Sequence, residues 1–185
     1  IQILGEPESV RIRDPQHPET SPDLLGCDLI LAAVDSAGAL DVDALLPGTL
    51  VVDDSFPRAF DDDRAIRRML QKRDVILCGG GLVDIGPLVR VSPFPGAQVY
   101  RDRYAAHWLP GCHVEAMLIA SDPSLGSSIG VVDGDRARRI WDAATLAGLR
   151  APPLHLGGWE VPAEVLAAVS SRALDLRDEG GLLRG

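Results

Sequence analysis

The chain has 185 residues, enough for one good-sized domain, and its 46% hydrophobic content supplies a packed core. A net charge of −9, from 27 acidic and 18 basic residues, argues against nucleic acid as the main partner, because phosphate contacts need a basic face. No apolar run is long enough to span a bilayer, no secretion leader is visible, and the three cysteines (Cys27, Cys78, Cys112) are widely spaced without a C-x-x-C, which argues against a disulfide framework and a structural zinc site and makes the cytoplasm the expected compartment.

Ile1–Leu4 and Val10–Arg13 read as strand pieces, and 14–23, with three prolines, as a loop. Cys27–Val34 is a continuous apolar run of the kind that suits a strand buried on both faces, as in a parallel sheet. Asp41–Leu46 reads as a helical turn or two, closed by Pro47-Gly48. Thr49–Asp53 is the next strand. Asp61–Arg73 is the clearest helix: three aspartates open it and Lys72 and Arg73 close it, matching the helix dipole. Ile66, Met69, Leu70 and Arg73 are expected on one face. Arg64, Arg67 and Arg68 are expected on the solvated outer face, where they would also suit an acidic partner.

Val75–Cys78 is a third buried strand, followed directly by Gly79-Gly80-Gly81. Leu82–Arg103 is mixed and broken by prolines, with short extended pieces at Leu88–Val91 and Gln98–Tyr100. Tyr104–Trp108 reads as a helical turn. Pro110-Gly111 leads into a helix from Cys112 to about Ser121. A further helix capped by Asp133 or Asp135 runs to Leu149, with Ala137, Ile140, Trp141, Ala144 and Gly148 as its buried face. The last helix, Pro162–Leu174, turns Val165, Leu166 and Val169 inward, and a frayed tail follows.

Strands linked by short connections and a helix make an α/β pattern, in which ligands bind outside the carboxyl ends of the strands. Those ends carry Ala33, Val34 and Asp35, then Asp54 and Ser55, then Gly79, Gly80 and Gly81. Triple glycine lets a ligand approach the backbone; it also simply makes a turn. Cys112, in the first turn of a helix, stands where free N–H groups and the dipole favour a thiolate, although a cysteine there is often only a small buried hydrophobe. Glu115 is expected to cap that helix or orient a neighbour, and His107 or His113 to move a proton. His107, Cys112, His113 and Glu115 do not converge as metal ligands, because His113 points about 100° away from the face shared by Cys112 and Glu115. No G-x-G-x-x-G, Y-x-x-x-K or G-x-S-x-G occurs. Either a first strand, glycine-rich turn and helix are missing from the chain, which opens on Ile1, or it does not bind a dinucleotide alone.

Three blocks resemble the C-terminal portion of the long-chain acyl-[acyl-carrier-protein] reductases of cyanobacteria. They are Val51–Pro57 (V-V-D-D-S-F-P), Val75–Val83 (V-I-L-C-G-G-G-L-V) and Cys112–Leu118 (C-H-V-E-A-M-L). The third block carries the nucleophile motif C-x-x-E-A-M-L and is the most specific. The likeness spans roughly residues 28 to 155. Asp54-Ser55 departs from the family, which has glycines there, and Cys78 stands in place of a basic residue.

The resemblance implies a Rossmann-like, mostly parallel sheet with flanking helices that lacks its first strand and glycine-rich turn. It divides the chain into a partial NAD(P)-binding domain with the nucleophile helix over 1–150, a packing helix over 151–175 and a tail over 176–185. It implies reduction of an acyl thioester to an aldehyde with NADPH through a covalent acyl-cysteine at Cys112, helped by Glu115 and His113. An acyl carrier protein is the implied partner. Two other readings stand beside it: a binding or assembly module in which Cys112 is merely packed, and a non-covalent NAD(P) dehydrogenase in which a histidine does the acid/base work.

Overall fold

The computed structural model describes residues 27–86, 105, 107–126 and 134–180, with the backbone alone over 172–180. The strands expected at Ile1–Leu4 and Val10–Arg13 and the extended pieces at Leu88–Val91 and Gln98–Tyr100 lie outside these residues.

The fold is mixed α/β. Three strands, β1 (Leu29–Ala32), β2 (Leu50–Asp53) and β3 (Ile76–Gly79), form a parallel sheet in the order β1-β2-β3. Ile30, Val51 and Leu77 lie side by side in register, and all three are buried. Helix α1 (Asp62–Gln71) makes the crossover between β2 and β3 that a parallel pair requires. Its Ala65 and Met69 are fully buried, and the Leu77 amide donates to the Met69 sulfur at 3.3 Å. Each large apolar side chain sealed here contributes about 1.5–3 kcal/mol.

The strand at Leu29–Ala32 is buried on one face only, which corrects the expectation of burial on both. Leu29 is 51% and Leu31 72% exposed. Among the described residues no element seals the face they share, so an uninterrupted apolar run here does not mean a doubly covered strand.

Helix α1 begins at an Asp61 N-cap, whose side chain accepts from the Arg64 amide at 2.7 Å, with Asp62 and Asp63 in the first turn. Its inward face is Ala65, Arg68 and Met69, an i, i+3, i+4 set. Arg68 therefore points into the core and not to solvent as expected, while Leu70 is exposed. The Arg68 guanidinium grips Asp74 with two bonds of 3.0 Å and donates to the carbonyls of Leu45 (2.8 Å) and Val42. It thus ties α1 to the 3₁₀ turn Val42–Ala44 and to the start of β3.

Beyond the sheet, β4 (Leu82–Asp84) pairs antiparallel with β5 (Trp108–Pro110). The helical turn expected through Trp108 is thus replaced, at its end, by a strand. Helix α2 (Gly111–Ser121) follows without a break. Ile85, Leu109 and Val114 form a small second core that packs α2 on the ribbon. Helix α3 (Gly134–Leu146) was expected to bury one face, yet none of its residues is buried. Ile140 and Ala144 are half-buried, and Ala137 and Trp141 are exposed. A short ribbon, β6 (His155–Leu156) with β7 (Trp159–Glu160), leads to helix α4 (Ala163–Gly180), which runs past the expected end at Leu174. Its Val165 and Val169 are buried in the main core, and Leu166 packs against that core half-buried. No helix among the described residues is long and apolar enough to cross a membrane.

Candidate active site at the carboxyl ends of the parallel strands

Asp53 ends β2 and is almost completely buried. One of its oxygens accepts from the Ser55 amide at 3.0 Å and the other from the Ala59 amide at 3.1 Å. The Arg58 guanidinium stands 3.6 Å away and also pairs with Asp62 at 2.9 Å. A buried carboxylate with two backbone donors and a neighbouring cation is structurally anchored; here it shapes the loop that follows β2. Ser55 in turn accepts from the Val34 amide at 2.9 Å, and the Asp54 amide donates to Ala32 at 2.8 Å. The loop after β1 is thereby fastened to the loop after β2.

The triple glycine lies against this loop. The Gly80 amide donates to the Asp53 carbonyl at 2.8 Å. A Cβ on Gly79 would stand 3.2 Å from Arg58 Nη1 and 3.5 Å from His155 Nε2, and one on Gly80 would stand 3.2 Å from Val52. A Cβ on Gly81, whose φ is +74°, would fall 1.9 Å from Asp54 Oδ1. The space left by each missing side chain is held by the protein itself.

Gly81 is also the link to the cysteine. Its carbonyl accepts from the Gly111 amide, the first of α2, at 2.6 Å. Cys112 follows, exposed, in the first turn. Of the expected site residues, the structure brings Gly81, Asp54 and the start of the Cys112 helix together, and joins Val34 to Ser55. Ala33 and Asp35 are exposed beyond the end of β1. His113 is exposed next to Cys112.

Glu115 is half-buried and does not cap the helix: the N-cap is Pro110, no side chain makes a cap bond, and Glu115 sits too far along the helix for a capping box. His107 lies at the far end of the β4–β5 ribbon, 3.8 Å from Asp84, because Trp108 pairs with Asp84 while Pro110 pairs with Leu82. Of the two histidines, His113 is therefore the one at the Cys112 end of the ribbon, adjacent to it in the chain. Among the described residues no three His, Cys, Asp or Glu side chains group as a metal site.

The thiol within β3 is different in kind. Cys78 is buried, its Sγ lies 3.4 Å from the Val51 carbonyl, and burial pushes its pKa up to about 11. It stays a thiol at neutral pH and is a poor nucleophile.

Two residues of this region have no marker in the sequence. His155 is buried behind Gly79, its Nδ1–H donating to the Pro153 carbonyl at 2.9 Å, and Trp108 lies against its ring with centroids 4.7 Å apart. Burial lowers the His155 pKa, and the nearby Arg58 charge adds to that; the bond to Pro153 opposes it.

The groups exposed at the strand ends can be set against what a nicotinamide nucleotide would need. Asp35 and Asp54 offer exposed acceptors for hydroxyl and amide hydrogens, as a ribose or a carboxamide carries. A phosphate finds no such welcome among the described residues, since Arg58 is engaged by two aspartates and α1 opens on acidic side chains. The docking patch expected on α1 is also reduced: Arg68 is buried and Arg64 pairs with Asp41 and Asp43, leaving Arg67 exposed. No family model matches the chain, and no curated protein matches it significantly.

Proposed function

We propose that this chain carries the acyl-accepting half of an NADPH-dependent reductase that converts acyl thioesters to aldehydes. The observation that carries the reading is the exposed Cys112, one residue after an amide bonded to the Gly81 carbonyl at the carboxyl end of β3. The three-block resemblance to aldehyde-forming acyl-carrier reductases supplies the chemistry.

In this reading the Cys112 thiolate attacks the thioester carbonyl. A new carbon–sulfur bond forms, the old one breaks, and the departing thiolate takes a proton from His113 or water. No side chain caps α2, so the first-turn amides beyond Gly111 are available to the oxyanion that develops beside the sulfur. Bound NADPH would supply a hydride that releases the acyl group as an aldehyde and returns the thiolate. The uncharged end of that cofactor is the part the rim of Asp35, Asp54 and the glycines would meet; its phosphates need groups other than those described. An acyl carrier protein is the natural donor of such an acyl group.

The test is covalent. The protein is incubated with a long-chain acyl-coenzyme A, and the mass of the Cys112 peptide is measured. An acyl adduct on Cys112 that is lost in Cys112→Ala supports the reading. Equal labelling of that variant, or none of the parent, overturns it.

One observation favours a second reading, a binding module without catalysis: the protein fills the space beside all three glycines, as a purely structural turn would. In that case the unacylated protein is the expected result of the same test.

A further inference from the structure

We infer that Asp54 is a specificity-determining residue: its carboxylate screens the approach to Cys112, admitting uncharged groups and rejecting anionic ones. The inference rests on the reading of Cys112 as the acyl acceptor and adds which acyl donors it takes. These are neutral thioesters, not acyl phosphates or free carboxylates.

The argument starts from placement. Asp54 is held by its backbone, whose amide donates to Ala32 at 2.8 Å, and by its neighbour Asp53, whose carbonyl accepts from Gly80 at 2.8 Å. Its side chain is exposed and makes no hydrogen bond or ion pair among the described residues. Even so, the carboxylate is aimed, because its Oδ1 occupies the space that any side chain on Gly81 would need. Gly81 holds Gly111, and Cys112 is the next residue. A carboxylate is therefore placed against Gly81, the residue to which the helix that carries Cys112 is bonded.

Among the described residues no cation pairs with it. Arg58, the cation of this loop, is engaged by Asp53 and Asp62. Glu115, one turn beyond Cys112, is a second acidic side chain on that helix. The helix dipole alone would invite an anion to this position. Asp54 leaves the α2 amides open, since its side chain makes no hydrogen bond among the described residues, and its carboxylate beside Gly81 repels an incoming anion. A thioester arm, with neutral amides and hydroxyls, meets an acceptor instead.

Two alkylating agents that differ in charge read this directly. Cys112 is modified in the whole protein by iodoacetate, an anion, and by iodoacetamide, its neutral counterpart, at one pH and low salt, with rates taken from the mass of the Cys112 peptide. Both reagents react with the thiolate, so a change in thiol pKa or in exposure moves both rates together, and their ratio isolates charge. Asp54→Asn is expected to raise the iodoacetate-to-iodoacetamide ratio about threefold, the size of a single charge several ångströms away in water. The difference should vanish in about 1 M salt. Asp54→Ser, which removes the same charge with a different shape, should give the same ratio. An unchanged ratio in both variants overturns the inference, as does a threefold rise in Glu115→Gln with none at Asp54. Failure of Cys112 to accept an acyl group would overturn the proposed function and leave this ratio as it is, so the two tests fail separately.

Discussion

The Gly111 amide donates to the Gly81 carbonyl at 2.6 Å, and that one bond joins the end of the parallel sheet to the helix that carries Cys112. Gly81 takes a left-handed φ of +74° to offer its carbonyl there, and Asp54 closes over its α-carbon. The cysteine is thus set by the backbone of a glycine strap and by the loop after β2, more than by contacts of its own side chain.

Gly81→Ala should be costly for two separable reasons. The left-handed backbone costs an ordinary residue about 1–2 kcal/mol, and the new methyl meets the Asp54 carboxylate. Chemical denaturation should show a larger loss in Gly81→Ala alone than in Gly81→Ala with Asp54→Ala, while Asp54→Ala by itself is nearly neutral. Additive losses would mean that the two residues do not touch.

Arg68→Met should destabilise the protein by about 3–5 kcal/mol, because it leaves Asp74 charged, buried and unpaired. Urea unfolding measures this. Arg67→Met, one residue earlier and exposed, is the control and should change stability by less than about 0.5 kcal/mol. Similar effects in the two variants would place Arg68 on the surface after all.

His155 gives stability a pH dependence whose sign is fixed by its lowered pKa. The unfolded chain, with an ordinary histidine value of 6.5, takes up a proton before the folded chain does. Stability from this group is therefore complete above about pH 6.5 and declines as pH falls toward the folded pKa, by at most about 1.4 kcal/mol per pH unit. His155→Asn keeps a donor for the Pro153 carbonyl and cannot titrate. Its unfolding free energy should stay flatter than the parent's between pH 7 and 5.5, and an identical slope would refute the assignment.

The thiols should react in a fixed order. Cys112, exposed, is expected to consume a disulfide reagent first, and Cys78 only on unfolding, since it is buried with a pKa pushed up to about 11. Stopped-flow thiol titration of the native protein, with Cys112→Ala as reference, checks this. Loss of the slowest phase in that variant, in place of the fastest, would reverse the assignment.

Parts of this arrangement were legible in the sequence because they follow local rules. The β-branched run through Val51 and Val52, the aspartates before α1 and the Pro-Gly step before Cys112 each act over a few residues. Arg68 was not legible: its inward turn depends on Asp74, beyond the end of its own helix, and an arginine at that spacing reads as solvated. The two-residue strands of the His155 ribbon are too short to show a period. Asp53 and Asp54 look alike as letters, yet one is a buried anchor and the other an exposed charge, a difference made by the backbone amides that converge on the first. The exposed Leu29 and Leu31 misled in the opposite sense, because apolar side chains do not state whether anything covers them.

The most direct measurement of the central claim is the mass of the Cys112 peptide after exposure of the native protein to a long-chain acyl-coenzyme A. The account predicts one acyl group on Cys112, removed by hydroxylamine as a thioester is and missing in Cys112→Ala. A Cys112 that stays unmodified while remaining open to iodoacetamide would contradict it.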